Sequence, residues 1–223
     1  DGENWVKKTE DTYKTAKGVK IDEPKLLYYQ SAEALDYFMG LAWMRAHEFQ
    51  KASDSFRTVL NAGKGGKWQG YADKAWKKND RIQRATAGVT IGDIGKRIAV
   101  QDVVTRGDLA TLLVAELKID KLSDSRISAA QYAKKPEFTP PDITNYPFNE
   151  EVITVIKWKV RGLEPKYDET AKAYLFKPMD LVKRGEMALV LEDVLIKATG
   201  DEKIASAYLG HEKSPFPDVR PTS

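Results

Sequence analysis

The strongest constraint on this chain is an internal repetition. The stretch Val103-Val104-Thr105-Arg106-Gly107-Asp108-Leu109-Ala110 returns as Leu181-Val182-Lys183-Arg184-Gly185-Glu186-Met187-Ala188, with the two arginines 78 positions apart. Each copy leads into an apolar stripe at helical spacing. In the first the stripe is Leu109, Leu112, Leu113 and Leu117; in the second it is Met187, Val190, Leu191, Val194 and Leu195. Residues three and four apart share one side of a helix, so both copies predict a helix that begins at the repeated tetrapeptide and buries one face.

The tetrapeptide has a local physical reason. Thr105 is placed to cap a helix by accepting from a backbone N–H, and Asp108, three residues on, is placed to return a bond: a capping box with an acid at the positive helix end. In the second copy Lys183 stands where the capping hydroxyl would be. Only Glu186 then favours that helix start, and a cap worth about 1 kcal/mol is missing. Capping does not explain Arg106 and Arg184, since a cation at a helix N-terminus meets the wrong end of the dipole. Two readings remain open. A planar guanidinium beside free backbone N–H groups is a receptor for a carboxylate, including that of an acidic sugar. Alternatively, each arginine forms an interhelix salt bridge to Asp108, Glu186 or a neighbouring module.

Thr105-Arg106-Gly107-Asp108 and Lys183-Arg184-Gly185-Glu186 resemble the signature of S-layer homology domains, a Thr-Arg-Ala-Glu-like tetrapeptide opening a helix. The second copy also carries the upstream parts: Asp142-Ile143, a helix from about Glu150 to Val160, the Gly162-Leu163 turn, and Phe176-Lys177-Pro178. Phe216-Pro217-Asp218-Val219 is similar to the opening of a third module. The resemblance covers residues 88–223, with modules at 88–120 and 142–200, a proline-rich insertion from Lys121 to Pro147 between them, and the start of a third at 214–223. It implies a helical bundle with short loops or strands that binds cell-wall polysaccharide or peptidoglycan-linked glycan. Arg106 and Arg184 would engage its anionic groups, Lys183 would join the same site, and Thr105, Asp108 and Glu186 would order the helix starts. Trp158 or Tyr174 would stack on sugar faces.

The preceding residues, 1–87, read as helical. Leu35, Met39, Ala42 and Ala46 form one set at helical spacing and Ala52, Phe56, Val59 and Leu60 a second, with His47-Glu48-Phe49 between them, which predicts an antiparallel helix pair. Small residues at Gly40 and Ala52 let two helices approach, and Trp43 and Phe56 supply bulk around that contact. Met39-Gly40, Trp43, Ala52 and Phe56 are similar to the signature positions of a tetratricopeptide repeat. One such pair cannot bury both its faces, and Lys8 to Ala16 and Trp68 to Arg84 offer flanking helices. The resemblance implies a groove for a protein partner, with Trp43 and Tyr37 as contact residues; the bland reading is a helical cap on the C-terminal region. Asn61-Ala62-Gly63-Lys64-Gly65-Gly66-Lys67 lacks the spacing of a phosphate loop and has Trp68 where a Ser or Thr would stand, so it reads as a helix connection.

Composition narrows the chemistry. The chain has no cysteine and two histidines, His47 and His211, which removes thiolate sites and disulfides and leaves no spacing for a histidine metal cluster or a serine–histidine relay. No cofactor or metal is expected. Adjacent carboxylates such as Glu150 and Glu151 point about 100° apart on a helix and cannot flank one glycosidic bond. Thirty-six basic against 33 acidic residues, interspersed, mark no nucleic-acid surface. The expectation is therefore a mainly α, non-enzymatic cell-envelope anchor or adaptor in the periplasm, at the outer membrane or on the cell surface. Its partners would be wall glycan and an envelope protein, with outer-membrane attachment through a lipidated N-terminus missing from the sequence. The alternative is a scaffold subunit of an envelope assembly whose S-layer homology-like fold no longer binds glycan.

Overall fold

The computed structural model describes residues 2–29, 31–63, 65–87, 92–122 and 138–207. The chain is mainly helical and divides into two compact units, Asp1–Val100 and Gln101–Ser223. The division falls after Val100 and not at the composition change near residue 88. Helix α5 (Asp93–Ala99) goes with the first unit, because Ala99 and Val100 pack on that core and Lys78 Nζ donates to the Val100 carbonyl at 2.8 Å.

The first unit contains α1 (Gly2–Lys17), a 3₁₀ turn (Glu23–Lys25), α2 (Glu33–Arg45), α3 (Phe49–Asn61), α4 (Lys67–Thr86) and α5. Its core is Met39, Trp43, Ala52, Phe56, Val59, Trp68, Ala72 and Ile82 with their neighbours. The α2–α3 contact is made by glycine: a Cβ on Gly40 would sit 2.5 Å from Phe56 Cε1, so only a bare backbone admits the fully buried ring. The two flanking segments expected to be helical are α1 and α4. Buried Asp36 holds α1 to α2, accepting from Tyr13 Oη at 2.6 Å and Lys17 Nζ at 2.8 Å. Burial, and then the Asp36 carboxylate, raise the Tyr13 pKa far above its ordinary value. Asn79 of α4 is wholly buried and donates to the Phe49 carbonyl at 2.8 Å and to Ser53 Oγ at 2.9 Å, fixing α4 against the start of α3.

The second unit contains α6 (Arg106–Thr111), which runs into a π-helical turn (Leu112–Glu116), then α7 (Ile119–Leu122) and a 3₁₀ turn (Pro141–Ile143). It continues with α8 (Asn149–Lys157), the antiparallel ribbon β1 (Lys166–Asp168) and β2 (Ala173–Leu175), α9 (Arg184–Thr199) and a final 3₁₀ turn (Glu202–Ser206). Both repeat copies contribute to one core: Leu109, Leu113 and Ile119 from the first pack with Ile143, Val152, Val155, Trp158, Val160, Leu163, Phe176 and Val190 from the second. The repeat is therefore a pair of half-sites around a shared interior. The predicted stripes hold only in part. Leu109 and Leu113 are buried, but Leu117 is exposed, since the extra residue per turn of the π segment rotates the next positions off the packed face. In α9, Val190 is buried with Met187 and Val194 beside it, while Leu191 and Leu195 face solvent, so the covered stripe is narrower than predicted.

The upstream parts of the second copy have structural roles. Asp142 Oδ1 and Oδ2 accept from the backbone N–H groups of Phe176 and Lys177 at 3.1 and 2.6 Å, and Gly162 turns the chain at φ 88°. Of the expected insertion, the end near Pro140 and Pro141 is a short turn that buries Ile143. Residues 123–137 and the expected third-module start at 214–223, with His211, lie outside the described residues.

Candidate functional site

The repeated tetrapeptides start α6 and α9, and the two starts are built differently. At α6 the capping box is complete: Thr105 Oγ1 accepts from the Asp108 N–H at 3.1 Å, and Asp108 Oδ2 accepts from the Thr105 N–H at 3.2 Å. At α9 half of it exists. Glu186 Oε2 accepts from the Lys183 N–H at 3.1 Å, and lysine, a donor only, returns nothing.

Arg106 is 3% exposed. Its Nε donates to the Phe176 carbonyl at 2.9 Å, Nη1 to Gly162 at 3.0 Å and Nη2 to Glu164 at 2.9 Å. The guanidinium carbon lies 4.9 Å from the Phe176 ring centre, and Nη1 is 3.6 Å from Glu186 Oε1. Burial lowers the Arg106 pKa, while Glu186, Glu164, Asp180 and Asp142 act to raise it. The backbone beside it is equally engaged: the N–H groups of Arg106 and Gly107 donate to Asp180 and Pro178, both at 2.8 Å, and Val182 N–H donates to Val104 at 2.9 Å. A Cβ on Gly107 would collide with the Tyr146 hydroxyl and approach the Pro178 carbonyl to 3.0 Å. Of the two readings of Arg106, this geometry is the salt-bridge kind, extended to three carbonyls, and it joins copy one to copy two. As placed, Arg106 offers no face to an external carboxylate.

The second tetrapeptide is at the surface. Lys183 and Arg184 are exposed, and a Cβ on Gly185 would meet nothing within 4 Å. Glu186 is bound to Lys166 Nζ of β1 at 2.6 Å. That bond first, and then the Lys183 N–H, Lys166 and Arg106, hold its carboxyl below the ordinary range against a smaller opposing effect of burial. The expected site residues thus separate. Thr105, Arg106 and Asp108 form an internal clasp, and Lys183, Arg184 and half-buried Glu186 form an outer edge.

The aromatic expectations divide likewise. Trp158 is 7% exposed and belongs to the core, so it presents no face to a sugar. Tyr174 is exposed on β2, directly opposite Tyr167 on β1. In the first unit Trp43 is 8% exposed, with Lys51 Nζ 4.5 Å over its ring, so it is a core residue and not a contact surface. Tyr37 is half-buried among Phe38, Phe56, Trp68 and Tyr71. Tyr37 does not line the open groove of this unit, an apolar space of about 320 Å³ between α1 and α2 bounded by Tyr13, Leu35, Phe38 and Met39 with Lys8 at its edge.

Two residues that matter were missed by sequence reasoning. Lys166 and Tyr167 lie on a three-residue strand, too short for alternation to register; the signal that existed was a pair of tyrosines either side of a turn-like Glu169-Thr170-Ala171-Lys172. Among the described residues no group of three or more His, Asp or Glu side chains is arranged to hold a metal ion, and no helix is long and apolar enough to cross a membrane. Comparison with protein-family models, with curated proteins and with solved structures found no match to this chain.

Proposed function

We propose that this protein is a non-enzymatic anchor or adaptor of the cell envelope, binding an anionic wall glycan through the outer edge of its second unit and a protein partner through its helical first unit. The observation that supports this reading is the split between the two tetrapeptides. One is consumed in holding the fold together, and its duplicate stands at the surface with Lys183, Arg184 and the neighbouring Lys166 around an exposed helix start. The anionic-glycan contact is thereby assigned to Lys183 and Arg184 and withdrawn from Arg106. In this reading Thr105, Asp108 and Glu186 order the helix starts. The groove between α1 and α2 is the place for the partner, and the protein resides in the periplasm, at the outer membrane or on the cell surface.

Sedimentation with isolated cell-wall sacculi tests the reading. The wild type is expected to pellet at low salt and less so at high salt, and Lys183→Ala with Arg184→Ala is expected to stay in the supernatant. A second reading, a scaffold subunit whose S-layer homology-like fold no longer binds glycan, is favoured by the burial of Arg106. It takes over if the wild type does not pellet at either salt concentration.

A further inference from the structure

The connection between α1 and α2 projects apolar side chains into water. Leu27, Tyr28 and Tyr29 follow the 3₁₀ turn (Glu23–Lys25) and are 84%, 81% and 52% exposed. Tyr29 continues into a patch of rings. It packs edge-on against Phe38 of α2, with centres 6.1 Å apart, and is stacked on Trp68 of α4 at 6.3 Å. Tyr71 lies 5.9 Å from Trp68 and 5.9 Å from Tyr37. Phe38 and Tyr71 are 47% and 50% exposed, so Leu27, Tyr28, Tyr29, Phe38 and Tyr71 make one connected surface that nothing among the described residues covers. The backbone beneath the projecting residues is held from α4: Lys67 Nζ donates to the Tyr28 carbonyl at 2.7 Å and Trp68 Nε1 to the Tyr29 carbonyl. Both carbonyls are thus paired before the turn meets anything, which lowers the cost of moving it out of water.

We infer that this surface docks the first unit on an anionic lipid bilayer, with Leu27 and Tyr28 entering the headgroup region. Three observations select that occupant. Side chains more than four-fifths exposed stand beyond their neighbours, and a fluid interface accepts such a projection, whereas small ligands and peptide side chains are held in concave sites. The patch is leucine with tyrosines, whose rings are apolar and whose hydroxyls are polar, the combination that suits the boundary between water and hydrocarbon. Its rim is cationic. Exposed Lys67 and Lys74 stand four before and three after Tyr71, on the same side of α4, and Lys67 is fixed beside the turn by its bond to Tyr28. Of the acids nearby, Asp22 is paired with Lys25 at 2.8 Å, Asp73 with Lys77 at 2.7 Å, and Glu23 Oε1 accepts from the Ala32 N–H at 3.1 Å. Lys67 and Lys74 therefore set the sign that faces the lipid phosphates. The contact is peripheral, and it does not rest on the glycan reading, whose residues belong to the other unit.

Flotation of the full chain with vesicles tests it, comparing phosphatidylcholine alone with phosphatidylcholine containing about 30% phosphatidylglycerol. The wild type is expected to float with the mixed vesicles, less so at high salt, and little with phosphatidylcholine alone. Leu27→Ser with Tyr28→Ser is expected to weaken partitioning about tenfold, and Tyr28→Trp to preserve it. Lys74→Gln is expected to weaken binding to the mixed vesicles about fivefold. All three positions are exposed, and an unchanged far-UV circular dichroism spectrum certifies that each variant folds. A wild type that floats with neither vesicle overturns the inference, as does a Ser pair that floats like the wild type. Absence of flotation together with an oligomer that the Ser pair disperses, read by sedimentation equilibrium, overturns the lipid occupant and gives the surface to a second copy of the chain.

Discussion

Replacing Arg106 with methionine keeps side-chain length and removes the guanidinium. Three carbonyls, those of Phe176, Gly162 and Glu164, then face an apolar side chain inside the unit, and Glu186 loses one of its two cationic neighbours. A hydrogen bond to a charged group contributes about 1.5–3 kcal/mol, but the three share one donor and do not add. Removing one member of a buried charged pair costs about 3–5 kcal/mol, and the fully engaged geometry at Arg106 places the loss in that range. Against a typical domain stability of about 5–15 kcal/mol this is a large fraction. With a urea slope of about 1.5 kcal/mol per molar, the unfolding midpoint of the second unit falls by about 2–3 M. Pulsed hydrogen exchange across a urea series reads it without interference from the first unit, using peptides covering 104–117 and 160–178. Arg106→Lys keeps the charge and loses the fork, so its midpoint lies between the two. A midpoint for Arg106→Met within about 0.3 M of wild type refutes the clasp and returns Arg106 to the candidates for ligand binding.

The duplicated glycines give a matched pair. Gly107→Ala drives a Cβ into the Tyr146 hydroxyl and destabilises the second unit by about 1–3 kcal/mol, whereas Gly185→Ala meets open space in the first turn of α9 and stabilises it by up to about 1 kcal/mol, both measured by chemical denaturation. Gly40→Ala forces apart α2 and α3 at Phe56 and costs about 2–3 kcal/mol in the first unit, read from tryptophan fluorescence during urea unfolding; a neutral result refutes the close approach. Acid weakens the second unit through Glu186. Its folded pKa lies below the ordinary value of 4.5, so its contribution is fully present above that value and disappears as the pH falls through the lowered folded pKa. Glu186→Gln is expected to lower stability at pH 7 and to flatten the loss that the wild type shows as the pH falls below 4.5, measured by urea midpoints across pH.

What was legible in the sequence is what depends on near neighbours. Thr105 and Asp108 are three apart, and their capping box results from that spacing alone. Gly40 and Phe56 lie on adjacent helices joined by a short connection, so small against large could be read as a contact. Arg106 shows the limit. Its acceptors at Gly162, Glu164 and Phe176 are 56 to 70 positions away and are backbone oxygens, which every residue carries, so no side-chain pattern announces them. Local reasoning established that capping does not account for the arginine, and tertiary structure supplied what does. Leu117 failed for a different reason. The stripe assumed a constant 3.6-residue period, and the π turn at Leu112–Glu116 changes it where the helix ends. Trp43 and Trp158 are large aromatic residues whose covering comes from packed elements, which a sequence does not display.

The bonds that join the copies also set how the second unit would carry tension. Val104, Arg106 and Gly107 are linked to Val182, Asp180 and Pro178 by three backbone hydrogen bonds, with the Arg106 fork alongside. A pull entering the unit at Gln101 passes at once to the chain leading into α9, and the residues between Val104 and Val182 bear none of it while these bonds hold. Those 77 residues are stored contour, about 260 Å when fully extended. In a tether, that makes the clasp a mechanical fuse: short and stiff below its rupture force, and able to release slack above it before the attachment at either end is lost.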